Sequence, residues 1–508
     1  MTTRIPLLLA GLAVFATLTG GTARAHHAPV PKRTAPALVR PTPEQVQEAN
    51  DAFAGLAGAC AEEPLASGRG TVHVFHFPVV ADDETLKRVP DLPFAFGLRF
   101  NCANITDAGV KELKRLTNLT YVSFYGTAVT DAALKELKEL PNLTDLDLGT
   151  TGMTGEGLAA LDGAPNVVFL NLCNSRVTDA GLKAAKGLPR LRVLRFSGDR
   201  VTDAGLKELA EMPNLSEVGS YSKRVTNAGL KGLKGLKHIT VLNLYAPQVT
   251  DAGLQELGGL TSLTRLCVQE AQVTDAGLKG LKELKELTDL ELRKTRVTGA
   301  GLSEFSALKR LCLNESPVTD AGLNGVGGLR NLAELELGAT QVTDAGLKEL
   351  RGLPKLARLR LWNTAVTGAG LKELKGLTGL TELDLGGTGV TDTGLKELKE
   401  FPNLTELDLW RTKVTDAGLK ELKGLAKLTK LSVGGSQITD AGLKELEELP
   451  GLRALNLSET GITDAGVVEL KKLRRLKELL LFRTKLTKKG YDELRIALHS
   501  CVFSSFEQ

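Results

Sequence analysis

One phrase recurs along most of this chain. Its clearest copy, LTELDLWRTKVTDAGLKELKGL, runs from Leu404 to Leu425, and its threonine returns at a fixed interval from Thr106 to Thr487. The interval is 24 residues throughout, except for the step of 21 residues between Thr298 and Thr319. A segment this short cannot bury its own apolar side chains, so each unit must stack on its neighbours. We therefore predict a solenoid of seventeen stacked coils.

Within one unit the periodicity changes from that of a strand to that of a helix. Leu407 and Leu409 alternate with polar neighbours, which predicts a strand with leucines inside and the intervening side chains on an exposed inner face. Thr415 is then predicted to cap a short helix, with Asp416 in the first turn, where its charge suits the helix dipole. Gly418 has a glycine counterpart in sixteen of the seventeen units, which predicts close packing against the next coil.

The LxxLxL strand followed by VTDAGLKEL resembles the cysteine-containing class of leucine-rich repeats, over about 390 of the 508 residues. The resemblance implies an α/β fold, namely a right-handed, ribonuclease-inhibitor-like horseshoe with a parallel sheet on the concave face and helices on the convex face. Where the family often carries Asn or Cys, three residues before the anchor, this chain mostly has a hydroxyl, as at Thr412. A hydroxyl can still satisfy a buried loop carbonyl or amide, so we expect the turn to survive.

The first residues have the layout of a secretory signal peptide. Residues 1–25 contain Arg4, an apolar stretch and a small-x-small site at Ala23-Arg24-Ala25, so the mature chain is predicted to begin near His26, outside the cytoplasm. An uncleaved membrane anchor is the alternative, although the apolar run is shorter than the ~20 residues that a bilayer span needs. Residues 26–43 are rich in proline and are predicted to form a semi-extended linker.

Both ends of the array are expected to be capped. Residues 44–97 are predicted to form an N-terminal cap with a degenerate first repeat, starting with a helix from Pro43 to about Gly58 and including a strand over Val72 to Val80. The array then covers 98–487, and 488–508 form the C-terminal cap. Caps matter because an uncovered solenoid edge invites pairing with another chain.

Composition and cysteine placement exclude several classes of protein. A net charge of +4, with Lys and Glu interleaved on the helices, gives no basic stripe for nucleic acid. Cys267 and Cys312 occupy equivalent positions two units apart, so their separation of roughly 10 Å exceeds the ~7 Å limit for a disulfide. Cys60 with Cys102 is the one pair that we consider, because both lie near the N-terminal cap.

Catalytic and cofactor motifs are absent from the sequence. It contains no phosphate-cradling glycine loop, HExxH or CxxC, and no histidine is placed beside a candidate nucleophile. His73 and His76 form an HxxH in a strand, which would direct them to opposite faces and disfavour a metal site. About 21 residues follow the last anchor, so we expect no appended catalytic domain. We predict a non-enzymatic chain with no cofactor and no bound metal.

The inner face is where the units differ from one another. Just after the second strand leucine, six of seventeen units carry an aromatic residue, against 4% for the whole chain. Aromatic residues suit strands in any case, but together with Arg they also anchor binding surfaces. We predict partner contacts at the aromatic and charged residues of this face: Tyr125, Tyr221, Tyr245, Arg358, Arg360, Trp362, Glu382, Asp384, Asp408, Trp410 and Arg411.

Two patches can be placed within these contacts. The first surrounds Trp362 and Trp410, with arginines whose charge is partly balanced by carboxylates on adjacent strands. Its clustered carboxylates suit Ca²⁺ or a glycosidase-like acid and base pair, although solvated ladders with counter-charges are the commoner case. The second contains Tyr221 and Tyr245, where the loop hydroxyl is replaced four times running and Ser220 occupies an inward position. Its altered turns indicate either a binding site or drift in a tolerant array.

These observations favour an exported scaffold, secreted, periplasmic or on the cell surface, that binds a protein or peptide on its concave face. An alternative is a glycan or cell-envelope ligand stacked on the tryptophans. A third reading follows from the resemblance to the substrate-recognition repeats of F-box leucine-rich repeat proteins. No F-box-like segment precedes the array, and the predicted export signal contradicts that setting.

Overall fold

The computed structural model describes residues 40–56, 59–101, 104–162 and 166–503 of the chain. The predicted signal peptide, residues 1–25, lies outside the described residues, as does the linker up to residue 39. Cys102 also lies outside them, and with it the pairing considered for Cys60.

The described chain forms one open sheet of twenty short strands. The first two strands pair antiparallel, and every later strand pairs parallel with the next one along the chain. The α/β solenoid predicted from the repeats is therefore confirmed. The strands are Ala59–Pro64 (β1), Thr71–Phe77 (β2), Phe96–Phe100 (β3), Leu119–Ser123 (β4), Asp145–Asp147 (β5), Phe169–Leu172 (β6), Val193–Ser197 (β7), Glu217–Tyr221 (β8), Val241–Tyr245 (β9), Arg265–Gln269 (β10), Asp289–Glu291 (β11), Arg310–Cys312 (β12), Glu334–Glu336 (β13), Arg358–Arg360 (β14), Glu382–Asp384 (β15), Glu406–Asp408 (β16), Lys430–Ser432 (β17), Ala454–Asn456 (β18), Glu478–Leu480 (β19) and Val502–Phe503 (β20).

The leucines of consecutive strands stack in register beneath the sheet. Leu383 pairs with Leu407, and Leu407 pairs with Leu431. All three are buried, as is Leu409, which follows on the same side. One continuous apolar core therefore runs through the coils, and the opposite side of the strands, called here the inner face, is left for polar and aromatic residues.

The return segments are short helices, many of which continue as 3₁₀ turns. Helices of four residues do not form alone in water, so stacking must stabilise them. The α-helices are Pro43–Ala52, Asp83–Lys87, Asp107–Val110, Leu134–Leu137, Asp179–Ala184, Asp203–Leu209, Asn227–Gly232, Asp251–Glu256, Asp275–Leu278, Leu323–Val326, Asp344–Leu347, Gly368–Leu371, Asp392–Leu395, Asp416–Leu419, Val467–Leu470 and Lys488–Ala497. The 3₁₀ segments are Lys111–Arg115, Asp131–Ala133, Glu156–Leu161, Ala185–Gly187, Leu233–Gly235, Leu257–Gly259, Lys279–Leu281, Leu302–Glu304, Lys348–Gly352, Lys372–Leu374, Lys396–Glu400, Lys420–Leu422, Asp440–Glu448 and Asp464–Gly466.

The anchor threonine caps the helix, as predicted, and the aspartate beside it has a further role. The Thr415 hydroxyl oxygen accepts a hydrogen bond from the Ala417 N–H at 3.3 Å. Asp392, from the preceding unit, accepts two more, from the Thr415 N–H at 2.8 Å and from the Thr415 hydroxyl at 2.7 Å. The aspartate therefore joins consecutive coils, in addition to placing a negative charge in the first turn of its own helix.

The repeated glycine also serves the contact between coils. A Cβ on Gly418 would overlap the carboxylate of Asp392, which belongs to the preceding coil. We predicted close packing against the next coil, so the predicted direction of this contact was wrong. At Gly368, the residue after the anchor threonine is glycine where most units have aspartate, and here the two backbones approach closely. Gly368 lies where a Cβ would come within 2.5 Å of the Cα of Gly394, which leaves no space for a carboxylate.

The turn hydroxyl performs the predicted task. The Thr412 hydroxyl is buried and donates to the Leu409 carbonyl at 2.8 Å. The equivalent threonines Thr340, Thr364 and Thr388 donate in the same way, each to the carbonyl three residues earlier. Thr therefore replaces the Asn or Cys of the related repeats without leaving this carbonyl unpaired.

The N-terminal region differs from the prediction in its boundaries. The helix begins at Pro43 behind a Thr42 capping box but ends at Ala52, because Gly55 turns the chain with a φ of 79°. The strand predicted over Val72 to Val80 is β2, which ends at Phe77 because Pro78 has no N–H to extend the ladder. No helix among residues 40–503, as far as these are described, is long and apolar enough to cross a bilayer.

Candidate functional site

Side chains on the inner face form three rows that run across the strands. In β15 and β16 the first row holds Glu382 and Glu406, and the second row holds Asp384 and Asp408. The third row follows two residues later and holds Gly386 and Trp410. The two chain segments are joined there by a hydrogen bond from the Gly387 N–H to the Trp410 carbonyl. The predicted contacts Arg358 and Arg360 lie in the first and second rows, and Trp362 and Trp410 in the third.

The two arginines of β14 are turned towards the preceding strand. Arg358 Nη2 lies 2.5 Å from a carboxylate oxygen of Glu334, and Arg360 Nη1 lies 2.8 Å from one of Glu336. On the other side, Arg358 Nε reaches Glu382 only at 4.0 Å. The arginines therefore balance the carboxylates of β13 much more closely than those of β15 and β16.

Each tryptophan occupies the space above a glycine in a neighbouring unit. A Cβ on Gly338 would lie within the indole of Trp362, and a Cβ on Gly434 would lie within the indole of Trp410. The two rings thus lean away from each other. Between them is Gly386, whose Cβ position has only the Asp384 carboxylate at 3.3 Å and non-ring atoms of Trp410 at 3.6 Å as its nearest neighbours.

Three carboxyl groups of β15 and β16, those of Glu382, Asp384 and Asp408, have raised pKa values. Burial raises the pKa of Asp384 to about 6. The negative charge of Asp408 also raises this pKa, whereas the hydrogen bond from the Gly386 backbone lowers it. Burial also raises the pKa of Asp408, and burial followed by the Glu406 charge raises that of Glu382. These shifts arise mainly from burial, which disfavours the charged form of a carboxyl group.

Arg411 lies just after Trp410 in a left-handed turn, with a φ of 52°. Its guanidinium is 5.5 Å from the Trp410 ring centroid and 2.6 Å from a carboxylate oxygen of Glu459, two units further on. Arg411 therefore faces away from Asp384 and Asp408 and is held on the side of the later units.

The second predicted patch is built on longer strands. β8 and β9 extend to Tyr221 and Tyr245, which pair directly, so the missing loop hydroxyls coincide with extra strand residues. The Tyr245 hydroxyl donates to Glu270 at 2.6 Å, which raises the Tyr245 pKa to about 12. Ser220 Oγ, at an inward position, is buried and has no hydrogen-bond partner among the residues that the structure describes.

The first units of the inner face are partly occupied by the chain itself. The loop between β1 and β2 reaches β5, where the Ser67 N–H and hydroxyl donate to Asp145 at 2.8 and 2.7 Å. Asp145 is fully buried, and this burial raises its pKa. Tyr125 nevertheless stays 41% exposed. This contact was not predictable from the repeat, because it joins residues 78 apart in the chain, outside the repeat period.

The described cysteines and histidines can be placed by their neighbours. Cys267 and Cys312 lie in the second row on either side of Glu291, and both are free thiols whose pKa values burial raises well above 9.0. His76 contacts Glu63 at 2.6 Å, whereas His73 packs edge-on against Phe94. Across the described ranges no three His, Cys, Asp or Glu side chains are grouped to hold a metal ion.

The Leucine Rich repeat family model matches the chain at residues 139–161, 377–399, 402–423, 424–446 and 450–471. No curated protein matches it. Among solved structures, the mouse RP105/MD-1 complex has a TM-score of 0.52 at 18% identity, covering 77% of this chain and 71% of the other. A TLR13-ssRNA13 complex gives 0.50 and 18%, covering 80% and 70%.

A leucine-rich repeat protein of Leptospira interrogans gives a TM-score of 0.45 at 22% identity, covering 83% of this chain and 91% of the other. Each matched segment contains the strand and helical residues of one coil. The stacked coils, each with a parallel strand and a short helix, agree with the family matches and with the similar folds. The chain is therefore a leucine-rich repeat protein.

Proposed function

We propose that this protein is an exported, non-enzymatic scaffold that binds a protein or peptide partner on the inner, concave face of its sheet. The observation that carries the proposal is the position of Trp362 and Trp410, which remain partly exposed on that face. A tryptophan left uncovered on a sheet is a strong anchor for a partner, because its large apolar surface is buried on binding.

The rest of the proposed contact surface follows from the same rows. Tyr221 and Tyr245 extend it along longer strands, and Tyr125 adds an exposed ring near the first units. The charged members would fix the partner's orientation: Arg358, Arg360, Glu382, Asp384, Asp408 and Arg411. The loop that contacts Asp145 covers part of the early units, so we place the principal contacts from β8 onwards.

The comparisons support recognition as the class of function. RP105, whose structure shares the fold, was solved as a complex with MD-1. TLR13 was solved with single-stranded RNA, but a net charge of +4 with interleaved Lys and Glu does not favour a nucleic acid here. The fold also supports a scaffold in preference to an enzyme.

Export and the capped organisation belong to the same proposal. Residues 1–25 would be removed as a signal peptide, and 26–43 would link the mature N-terminus to the array. We assign 44–97 as the N-terminal cap, supported by Phe53, which stacks on Phe75 of β2 with ring centroids 3.8 Å apart. Residues 488–508 would cap the other end, where Tyr491 packs against Phe503.

A glycan is the second candidate ligand. Trp362 and Trp410 each cover a glycine of the neighbouring unit, and sugar rings stack on indole surfaces of this kind. Neighbouring carboxylates would accept hydrogen bonds from sugar hydroxyls. Sugar-array binding in the absence of any protein partner would favour this candidate.

The experiment that tests the principal proposal compares the full chain with the double variant W362A/W410A. Proteins captured by each from the extracellular milieu are identified, and the affinity of each purified candidate is then measured by calorimetry. We expect at least a tenfold loss for the double variant. The control V468A removes an apolar side chain that is 63% exposed on a helix, away from the inner face, and should leave affinity unchanged. Equal affinity for the wild type and the double variant would refute the proposal.

A further inference from the structure

The two tryptophans and the glycine between them define a slot on the inner face. Its floor is Gly386, Trp362 and Trp410 follow the strands on either side of β15, and Asp384 and Asp408 lie beside it in the second row. We propose that this slot receives one cationic side chain, Lys or Arg, from the partner. The inference rests on the proposed function and adds the chemistry of the partner residue.

The shape of the slot is the first argument. Three glycines alternate with the two tryptophans in the third row, and the rings fill the space above the outer two, Gly338 and Gly434. The rings leave the central one, Gly386, with no indole atom among its three nearest neighbours. Strands that are two positions apart are separated by roughly 10 Å, which admits one extended side chain between the tryptophan-bearing strands.

The balance of charge is the second argument. Arg358 and Arg360 pair with carboxylates of β13, and Arg411 pairs with Glu459, so the three nearby guanidiniums are directed away from the slot. Lys430 approaches Glu406 at 3.5 Å in the first row. Within the described residues, neither Asp384 nor Asp408 has a cation within 4.0 Å. The slot therefore has two carboxylates without a direct ion pair among the described residues, and Arg360 and Lys430 act on them only from a greater distance.

The hydrogen bonds of Asp384 leave one oxygen atom for a ligand. Asp384 Oδ1 accepts from the Gly386 N–H at 3.0 Å. Asp408 Oδ1 accepts from the Trp410 N–H at 2.7 Å, and the Ser432 side chain interacts with Asp408 as well. Asp384 Oδ2 has no hydrogen bond to any described residue. The raised pKa of Asp384 is consistent with a charge that awaits a partner, because a nearby cation would lower it.

A side-chain cation suits the slot better than a metal ion. Calcium takes six to eight oxygen ligands, and no three acidic, His or Cys side chains in the described parts of the chain are grouped to hold a metal. A guanidinium or ammonium needs only one or two carboxylates, and it also gains from lying against an indole face. Asp384 and Asp408 supply the carboxylates, and Trp362 and Trp410 flank the slot in the next row, two residues further along the strands.

The test uses the full chain and two fluorescent probes, hexa-arginine and hexa-glutamine, with binding measured by fluorescence anisotropy at physiological salt. We expect hexa-arginine to bind and hexa-glutamine not to bind. The double variant D384N/D408N should weaken hexa-arginine at least tenfold. Asparagine is compatible with this position, because Asn171 and Asn456 accept the same backbone hydrogen bond in their own units.

Two further variants distinguish binding of hexa-arginine in the slot from its nonspecific electrostatic attraction to the protein surface. E217Q/E315Q also removes two carboxylates, but each is paired with an arginine elsewhere on the sheet, and it should change affinity less than twofold. G386F fills the slot without changing charge and should match the tenfold loss. Equal losses in the two charge variants, or wild-type binding by G386F, would overturn the inference, as would failure of hexa-arginine to bind the wild type.

The outcome is distinguishable from failure of the proposed function. If a protein partner loses affinity for W362A/W410A but not for D384N/D408N or G386F, the binding face is retained and the cationic occupant is rejected. If hexa-arginine binds through the slot but no protein partner depends on the tryptophans, the cation slot is retained and the proposed function is rejected.

Discussion

Asp416 and Thr439, which belong to consecutive units, are joined by two hydrogen bonds: one Asp416 oxygen accepts from the Thr439 N–H at 2.8 Å, and the other accepts from the Thr439 hydroxyl at 2.6 Å. The same hydroxyl oxygen accepts from the Ala441 N–H and so caps the next helix. One residue therefore holds two coils together and orients the cap. The pattern begins at Asp83, which binds Thr106 in the same way.

The unit at Asn227 shows what this arrangement contributes. Asn227 accepts from the Thr250 N–H but donates to the Thr250 hydroxyl, and Thr250 makes no capping hydrogen bond. We predict that N227D raises the free energy of unfolding by about 0.5–1.5 kcal/mol, the contribution of one cap. D416N should lower it by a similar amount. Urea unfolding followed by circular dichroism would measure both, and a shift of the same sign in the two variants would contradict this account.

Substitution of the repeated glycine should be costly because of the neighbouring coil. A Cβ on Gly442 would overlap the Asp416 carboxylate, so we predict that G442A destabilises the protein by about 1–3 kcal/mol. The control is G259A, where a Cβ would have no neighbour within 4 Å. That variant should be neutral or slightly stabilising, because alanine restricts the unfolded chain. Equal effects in the two variants would show that packing between coils does not set the requirement for glycine.

The turn hydroxyl gives a prediction with an isosteric comparison. T412V keeps the shape of the side chain but removes the hydrogen bond to Leu409, and we expect a loss of about 0.5–1.5 kcal/mol. T412S retains the hydroxyl and should recover most of this loss. Thermal melts of the three proteins would test it; a valine variant as stable as the wild type would mean that the hydroxyl is not needed.

The pH dependence of stability should reflect the raised pKa of the Asp384 carboxyl group. Its folded-state pKa of about 6 exceeds the ordinary 3.8, so the folded protein binds the proton more tightly than the unfolded chain does. This difference makes stability fall as the pH rises between these two values. D384N should therefore be more stable than the wild type at pH 7.5, on the order of 1 kcal/mol, with the gain disappearing below about pH 4. Melting temperatures across this range provide the measurement, and a gain that persists at low pH would assign the effect to another cause.

The same titration affects the cation slot. Protonation of Asp384 removes one of the two charges that would hold the ligand, so hexa-arginine should bind more weakly at pH 5 than at pH 7.5. The D384N variant should lose most of this difference. Anisotropy titrations at the two pH values would test the prediction, and an equal pH dependence in both proteins would exclude Asp384 as its source.

The repeat period predicts most of the fold because register and burial depend on it directly. Leu407 and Leu409 lie inside, and Thr415 caps its helix, as their spacing requires. The spacing also contained a unit that the threonines did not reveal. Asp82 lies 24 residues before Thr106 and caps its own helix by accepting from the Thr85 N–H.

The site is less predictable, because a row assignment does not fix the direction in which a side chain leans. Trp362 and Trp410 occupy the same row, yet one lies over the glycine before it and the other over the glycine after it. The alternation of Gly338, Gly386 and Gly434 with the tryptophans was visible in the sequence and was the available signal. Ion pairs such as Arg411 with Glu459 span two units and depend on rotamers that the period does not specify.

Where the aspartate is present it binds the threonine 23 residues later, so these joints between coils are interchangeable with one another. The joints at Asn227 and Gly368 are built differently and do not belong to this set. Excision of residues 416–439 would bring Thr415 next to Asp440, with their own partners Asp392 and Thr463 both retained. Insertion of a copied unit would likewise add one matched joint. The length of such a chain can therefore change by whole units during evolution without a new interface having to be invented.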